Sequence, residues 1–485
     1  MKKLIALILA RATCLSLCAC SSSLAEEVTE PEEEVKASGK QESGTKKEEK
    51  EPIVYPDGFA VGYARTDITP DSELGIYNGT GKSTHDPLQF TCTAVSDGKN
   101  VALLFSLDIK NITVELTKSF TDRITKEFDI PADHVVLNVT HTHSAPNSTF
   151  SSTPALKWKV KMLNQAVIAI EDALRDLDLV EGAYVGTGTT EGITFVRRYL
   201  MPDGSYQTNA GSTAVAHESE ADNEMRTVRI DRKNKKDVLM VNYQTHYGSA
   251  TSMYKNQYSA DFIHVFREEA EAKWDCHFVY HSGASGNLNF NSPIAGERKY
   301  SNFVDATKQG FIPTVEGCLA GEEQAAIGDL RFASNWYKAP VYQDGAEMIE
   351  KAKKVNAQTE GSAAYQKALA ENGFTSSRQV QGIMTRAALG ETVDVPFYAI
   401  SFGDIGFVTA PYEMFDTNGK QVRDGSPFKM TFVCSYSNGG FGYVPSSLAF
   451  PHGAYEVFIS RFCETTGDDF ADEMVRLLNE CKTQG

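Results

Sequence analysis

One short stretch limits what this chain can become: Val135-Val136-Leu137-Asn138-Val139-Thr140-His141-Thr142-His143-Ser144-Ala145-Pro146. It opens as an apolar, β-branched run of the kind that forms a buried strand. It closes on two histidines and a Ser-Ala-Pro-Asn turn. In extended backbone, residues i and i+2 share a face, so His141 and His143 should project together from the strand end, where loops build sites on a rigid sheet. Imidazole suits zinc, copper, iron and nickel, and zinc is the usual choice for hydrolysis. An HxH pair alone does not separate a metal site from two surface histidines, so the remaining donors must come from elsewhere.

The chain begins Met1-Lys2-Lys3 and continues Leu4-Ile5-Ala6-Leu7-Ile8-Leu9-Ala10, the charged start and apolar run of a secretory signal. The segment ends Leu17-Cys18-Ala19-Cys20, a Leu-x-Ala-Cys pattern that resembles a bacterial lipoprotein processing site with Cys20 as the acylated residue. The reading predicts export and lipid anchoring at a bacterial cell surface, without a spanning helix. Residues 21–52 are rich in Glu, Lys, Ser and Gly and bury too little to order themselves, so they read as a tether. The organisation expected is therefore a signal at 1–20, a tether at 21–52 and a folded domain at 53–485. A net charge of −17 argues against a nucleic-acid partner, because phosphate binding needs clustered Lys and Arg. Beyond the leader, Cys92, Cys276, Cys318, Cys434, Cys463 and Cys481 show no CxxC spacing and read as isolated core residues.

Along the body, Gly58–Ala64 alternates as a strand and runs into a turn over Arg65–Pro70. A hairpin joins Leu88–Val95 to Val101–Ile109 across Ser96-Asp97-Gly98-Lys99-Asn100. Helical periodicity covers Val114–Phe128, Leu156–Leu177, Ala260–Lys273, Ala346–Ala370 and Asp468–Cys481. Strands are expected at Gly182–Gly186, Thr227–Asp231 paired with Val238–Thr245, His277–His281, Val393–Ile400 and Gly406–Ala410. Hairpins outnumber clear βαβ units. The fold class that follows is mixed α/β (α+β), with mixed sheets covered by helices.

Other strand ends repeat the design of the HxH stretch. Val241-Asn242-Tyr243-Gln244-Thr245-His246 ends in a histidine before a Gly-Ser loop. Gly406–Ala410 leads to Pro411-Tyr412-Glu413, and Gly439-Gly440-Phe441-Gly442-Tyr443 offers a tyrosine in a closely approachable loop. With Val61-Gly62-Tyr63-Ala64-Arg65-Thr66-Asp67-Ile68-Thr69-Pro70 and Thr140-His141-Thr142-His143-Ser144-Ala145-Pro146, these segments in this order resemble the catalytic domain of the neutral (alkaline, non-lysosomal) ceramidases over roughly 56–485. The resemblance implies one zinc ion held by His141, His246, Glu413 and Tyr443. It makes His143 an active-site hydrogen-bonding group and Tyr455 a contact to the reacting amide. It puts an arginine at Arg197, with Arg198 as the competing register.

One departure stands out. The family's Gly-Asp-x-Ser-Pro loop reads Gly286-Asn287-Leu288-Asn289-Phe290, so Asn289 occupies the serine position, and Ser292 could substitute only if the loop shifts. The function expected is a zinc-dependent hydrolase that cleaves an N-acyl amide bond of ceramide or a related lipid by metal-activated water. The alternatives are a same-fold zinc hydrolase of a soluble ester or amide, and a ligand-binding lipoprotein with a degenerate metal pocket. A metallo-β-lactamase-like site is disfavoured because Ala145-Pro146 stand where its motif needs Asp-His. An amidohydrolase barrel is disfavoured because it expects its HxH near the first strand.

Overall fold

The computed structural model describes residues 52–77, 79–246 and 254–484. The signal, the tether and Cys20 lie outside the described residues, as does the Gly-Ser loop after His246. Ile53–Gly485 is one unit by its contacts, and it alone is described below.

A large sheet is built from β1 (Ala60–Asp67), β2 (Gln89–Ser96), β3 (Val101–Leu107), β4 (Val135–Val139), β5 (Asp178–Thr189), β6 (Glu224–Arg232), β7 (Val238–Tyr243) and β8 (His277–Ser282). Their spatial order is β8-β7-β6-β5-β1-β2-β3-β4, and a short β9 (Glu323–Ala325) adds to β5. A second sheet runs β10 (Leu330–Pro340), β11 (Thr392–Phe402), β12 (Ile405–Ala410) and β13 (Met430–Ser435) in chain order.

The two sheets face each other, and strict alternation sorts the side chains between layers. On β3, Ala102 and Leu104 enter the core shared with Phe402, Phe407 and Phe432, whereas Leu103, Phe105 and Leu107 pack on the other side among Phe120, Trp158 and Met162. Helices Val114–Phe128 and Thr153–Arg175 supply that outer layer, and Thr466–Thr483 covers the far face of the second sheet through Phe470, Met474 and Leu477. Burial on both faces explains why β3, β4 and β7 read as nearly continuous apolar runs. The mixed α/β fold class is what the structure has. Among the described residues no helix is long and apolar enough to cross a membrane.

Most neighbours in the two sheets are antiparallel, and three pairs are parallel: β3 with β4, β7 with β8, and β12 with β13. Each parallel pair is joined by a helix, respectively Val114–Phe128, Phe262–Trp274 and Asp416–Gly425. The first of these forms as its sequence demands: Thr113 caps it by accepting the Leu116 N–H, Glu115 sits in the first turn, and Lys126 sits in the last. In open α/β sheets, ligands bind beyond the carboxyl ends of parallel strands. All of the candidate metal donors except Tyr443 follow such strands closely.

Buried asparagines stitch the two sheets together at those ends. Asn438 offers Oδ1 to the Leu137 N–H at 2.9 Å and donates Nδ2 to the Val135 carbonyl at 2.8 Å, so its side chain replaces a missing strand beside β4. Asn138 donates to the Ser435 carbonyl at 2.5 Å and accepts from the Ser282 N–H at 2.7 Å. Asn242 does the same work between the His281 and Val433 carbonyls.

The structure corrects several expectations. Ala346–Ala370 is two helices, Ala346–Asn356 and Ala363–Glu371, because Gly361 takes a left-handed φ of 81° and Ser362 caps a new start by accepting the Tyr365 N–H. The helix read as Leu156–Leu177 spans Thr153–Arg175, since Pro154 is favourable in a first turn. Strands β10 and β13 and the helices Ser377–Ala388 and Asp416–Gly425 were not anticipated. The six cysteines beyond the leader are all unpaired, and all but the half-buried Cys463 are buried.

His281 is fully buried between the sheets, its ring near Phe407 and Phe432, and neither ring nitrogen has a hydrogen-bond partner. Burial lowers its pKa to about 3. Because the folded value lies below the unfolded one of about 6.5, protonation favours the unfolded chain, and stability falls as pH drops below about 6.5. By pH 5 this residue alone should cost about 2 kcal/mol. The variant His281→Leu should lose that much less stability than the parent between pH 7.5 and pH 5 in urea unfolding, and an unchanged difference would contradict the assignment.

Candidate metal centre and active site

His141 stands just beyond β4. Strand pairing ends at Val139, the Thr140 N–H is taken by the Leu107 carbonyl, and His141 has a left-handed φ of 62°. The two histidines therefore converge through a turn and not through the pleat of an extended strand, which corrects the reason given for their meeting. They do meet: the Nε2 atoms of His141 and His143 are 3.2 Å apart. His246 follows β7 by three residues and completes a buried group in which one ligand atom from each of His141, His143 and His246 lies within 4.8 Å of the others.

The outward-facing nitrogens are tied back. His141 donates Nδ1–H to the Lys110 carbonyl at 2.6 Å, and His246 donates Nδ1–H to the Ser285 carbonyl at 3.2 Å. Each bond fixes the tautomer that leaves Nε2 as a lone-pair donor, the usual arrangement behind a metal-bound imidazole. The Tyr436 ring stacks on His141 at 4.2 Å, and its hydroxyl pairs with Ser285 at 2.8 Å. Burial, followed by the charge of Lys110, lowers the His141 pKa to about 3; burial also holds His143 and His246 well below the usual histidine value. All three are thus held neutral, the state that binds metal.

Glu413 and Tyr443 arrive together. Glu413–Met414 and Tyr443–Val444 form a two-residue parallel pair with Glu413 opposite Tyr443, and Gly442 takes a φ of 76° to enter it. Beneath them Gly286 comes so close that a β-carbon there would lie 2.5 Å from the Glu413 carbonyl oxygen. The Glu413 side chain is 20% exposed and its Oε2 lies 3.7 Å from His141 Nε2. That oxygen is shielded from solvent and has no hydrogen bond. Burial raises the Glu413 pKa to about 7, against the pull of Tyr443, Arg197 and Lys110.

Arg197 is the arginine that reaches this pair. It donates Nη2–H to the Tyr443 hydroxyl at 2.9 Å and Nε–H to Glu456 at 2.8 Å. Arg198 turns away to Glu218, the second oxygen of Glu456, and the carbonyls of Ala449 and Gly453. Tyr455 lies on the short helix Ala454–Ile459 with its ring 5.5 Å from that of Tyr443, and burial pushes its pKa up to about 12.

Asn289 is held by a neighbouring strand. It lies in a two-residue ladder with Phe195 and donates Nδ2–H to Asn209 at 3.0 Å. Ser292 does not take over the serine position, because its hydroxyl donates to Glu297 at 2.5 Å and lies 3.4 Å from His217 Nε2, which itself faces Glu297 at 2.7 Å. That carboxylate holds both groups, so the imidazole is not oriented as a base toward the serine.

The donor set fits a tetrahedral metal ion. With metal–nitrogen bonds of about 2.05 Å, the edge between two ligand nitrogens is about 3.3 Å, close to the 3.2 Å between His141 and His143. Two neutral nitrogens at that distance repel unless a cation or a shared proton lies between them, and the unpartnered Glu413 oxygen supplies negative charge beside them. The structure brings His143 into the group as closely as His141, so the three histidines are the nearest donors and Glu413 and Tyr443 adjoin them. Sequence reading passed over Tyr436, Lys110 and Glu456. The first had a signal, since Met430–Cys434 is another apolar run that ends in Ser-Tyr-Ser-Asn.

No protein-family model matches the chain. Among solved structures, the fold is similar to that of a ceramidase complexed with C2, at 16% identity and a TM-score of 0.65, covering 88% of this chain and 76% of that one. It is also similar to neutral ceramidase from Pseudomonas aeruginosa, at 15% identity and a TM-score of 0.64, covering 88% of this chain and 75% of that one. At such identities the likeness is one of fold.

The metal reading makes a direct prediction. Purified protein should carry about one divalent ion per chain by elemental analysis, and chelation should lower its melting temperature. Ion present at a hundredfold above its Kd should restore about 2.7 kcal/mol. In His141→Ala and His246→Ala the ion should be lost and chelation should leave the melting temperature unchanged; a chelator response retained in both would remove the metal from this site.

Proposed function

We propose that this protein is a zinc-dependent hydrolase of N-acyl amide bonds. The observation that carries the proposal is the buried group of three neutral imidazoles with an unpartnered carboxylate oxygen beside it, set at the ends of three parallel strand pairs in a ceramidase-like fold. Imidazole and carboxylate donors suit zinc, a metal without redox chemistry, and His141, His246 and Glu413 with the adjoining Tyr443 would hold it, leaving His143 uncoordinated. A zinc ion held there supplies Lewis acidity and lowers the pKa of a water from about 15.7 towards about 7.

The remaining work falls to the chain's own residues. In the net reaction the water oxygen bonds to the carbonyl carbon, the C–N bond breaks, and a proton reaches the leaving nitrogen, giving a carboxylic acid and an amine. Tyr455, whose hydroxyl stays protonated, donates to the carbonyl oxygen as it gains charge. Arg197, anchored by Glu456, holds the Tyr443 hydroxyl against Glu413. His143 is the group placed to carry the proton towards the leaving nitrogen. Asn289 can bond to a substrate carbonyl or hydroxyl but cannot act as a base, so the water route is preferred over a serine route.

The likeness of fold supports a lipid amide, ceramide included, as the substrate class to test first. We propose also that Cys20 carries a lipid anchor that holds the exported domain at a bacterial membrane surface, as the Leu-x-Ala-Cys segment suggests.

Zinc-loaded protein should release fatty acid from a fluorogenic N-acylsphingosine. The variant His141→Ala should be inactive, and Tyr455→Phe should lose about 10²-fold in kcat, the usual effect of removing one oxyanion donor. No release from protein that binds zinc through His141 would overturn ceramide as substrate, and no release from any N-acyl amide would overturn the hydrolase reading.

A further inference from the structure

A cavity of about 670 Å³ opens beside Tyr455. That volume lies within the range of small-molecule sites. Its floor is shared with the catalytic cluster: Tyr455 packs on Tyr443, and Thr208 in the cavity wall donates to the same Glu456 that anchors Arg197. The cavity walls mix aromatic rings with hydroxyl and amide groups. Among the described residues no Asp, Glu, Lys or Arg lines it; the Arg378 guanidinium lies over the Tyr455 ring at 5.7 Å but is bonded to Gln381, and the lining histidine, His452, is held by Glu218 at 2.7 Å.

The spare hydrogen-bonding groups are specific ones. Thr208 is committed to Glu456, and Ser205 donates to Asp203 at 2.7 Å. The Gln207 amide and the hydroxyls of Tyr206 and Tyr455 have no such partner among the described residues. Tyr206 is held rigid by stacking on His452 at 3.9 Å, and Phe458 adds a further ring. Rigid aromatic faces with uncommitted donors and acceptors between them suit a ligand that offers hydroxyls around a compact carbon frame. Gln207 is exposed and Tyr206 half-buried, so an alkyl chain laid over them would strip their water without replacing its hydrogen bonds, whereas ligand hydroxyls would replace them.

We propose that this cavity is the subsite for an uncharged, polyhydroxylated moiety, a sugar ring or polyol, carried on the amine side of the scissile amide. The proposal rests on the hydrolase reading for the word amide, and on the cavity alone for the hydroxylated ligand. Tyr206 and Gln207 are then specificity-determining residues, and Tyr455 faces both the subsite and the reacting bond.

The test compares two amides with the same dodecanoyl group, one on an uncharged open-chain polyol amine and one on octylamine, with the zinc-loaded full chain. The polyol amide is expected to have a kcat/KM at least about tenfold higher, expressed mainly in KM. Both Tyr206→Leu and Gln207→Leu should bring the ratio of the two kcat/KM values towards one. Equal or better turnover of the octylamide, or a ratio unchanged in both variants, overturns the proposal. If neither amide is cleaved, the placement of the subsite beside a scissile amide fails, and the cavity is judged separately by saturation-transfer NMR with N-acetylglucosamine. Saturation transfer that disappears in Gln207→Leu sustains the subsite; its absence in the parent protein, or its persistence in the variant, ends the proposal.

Discussion

The molecule depends on a polar seam between two otherwise apolar sheets. Asn138, Asn242 and Asn438 are buried where β4, β7 and β13 end, and each bonds to backbone groups of an element outside its own. An unpaired buried backbone group costs about 1–3 kcal/mol, so every register in which these side chains miss their partners is penalised. Apolar packing between the sheets tolerates sliding; this seam does not. It fixes the ends of the strands against one another, and the loops that leave those ends inherit that precision. His141 leaves β4, His246 leaves β7, Glu413 follows β12, and Tyr436 follows β13. Donor atoms separated in sequence by as much as 272 positions, from His141 to Glu413, thereby come within 3.7 Å.

The seam also explains how three imidazoles remain buried. Desolvation pushes their pKa values far down, and the nearby cations Lys110 and Arg197 push in the same direction. The carboxylate of Glu413 is pushed the opposite way, towards its neutral form. Neutral nitrogens crowded beside an unpartnered acid form a poor interior and a good cation site. The fold carries this cost because the carbonyls of Lys110 and Ser285 hold the outer nitrogens of His141 and His246, so the rings cannot rotate to find other partners.

Local signals in the sequence account for much of this, and their limits are physical. The helix Val114–Phe128 was legible residue for residue because its cap, charge placement and periodicity agree. The hairpin of β2 and β3 was legible from its turn. Strand β10 was not, because alternation there is obscured by an exposed Trp336 and by polar residues along its length. Strand β13 was legible in principle but carried no histidine to draw attention. The convergence of His141 and His143 was foreseen from a geometry that the chain does not use: the left-handed backbone at His141 cannot be read from an HxH motif, since it depends on where pairing with β3 stops. Choosing Arg197 over Arg198 needed coordinates for the same reason. Adjacent residues on a strand face opposite ways, and only the position of Glu456 decides which of them reaches Tyr443.

Fold and chemistry constrain the substrate to different degrees. A fold shared at about one residue in six conveys the arrangement of sheets and helices. It carries much less about the ligand, because substrate walls are made by loops that diverge first. Here Asn289 stands on a two-residue ladder outside both sheets and is bonded to Asn209. The strand Tyr206–Thr208 and the segment near Ser376 are also peripheral to both sheets, and they line the cavity with hydroxyls, an amide and aromatic rings. The buried centre therefore argues for a reaction and the periphery argues for a substrate. If the proposed subsite holds, the hydroxyls, amide and rings of the periphery select a polar substrate.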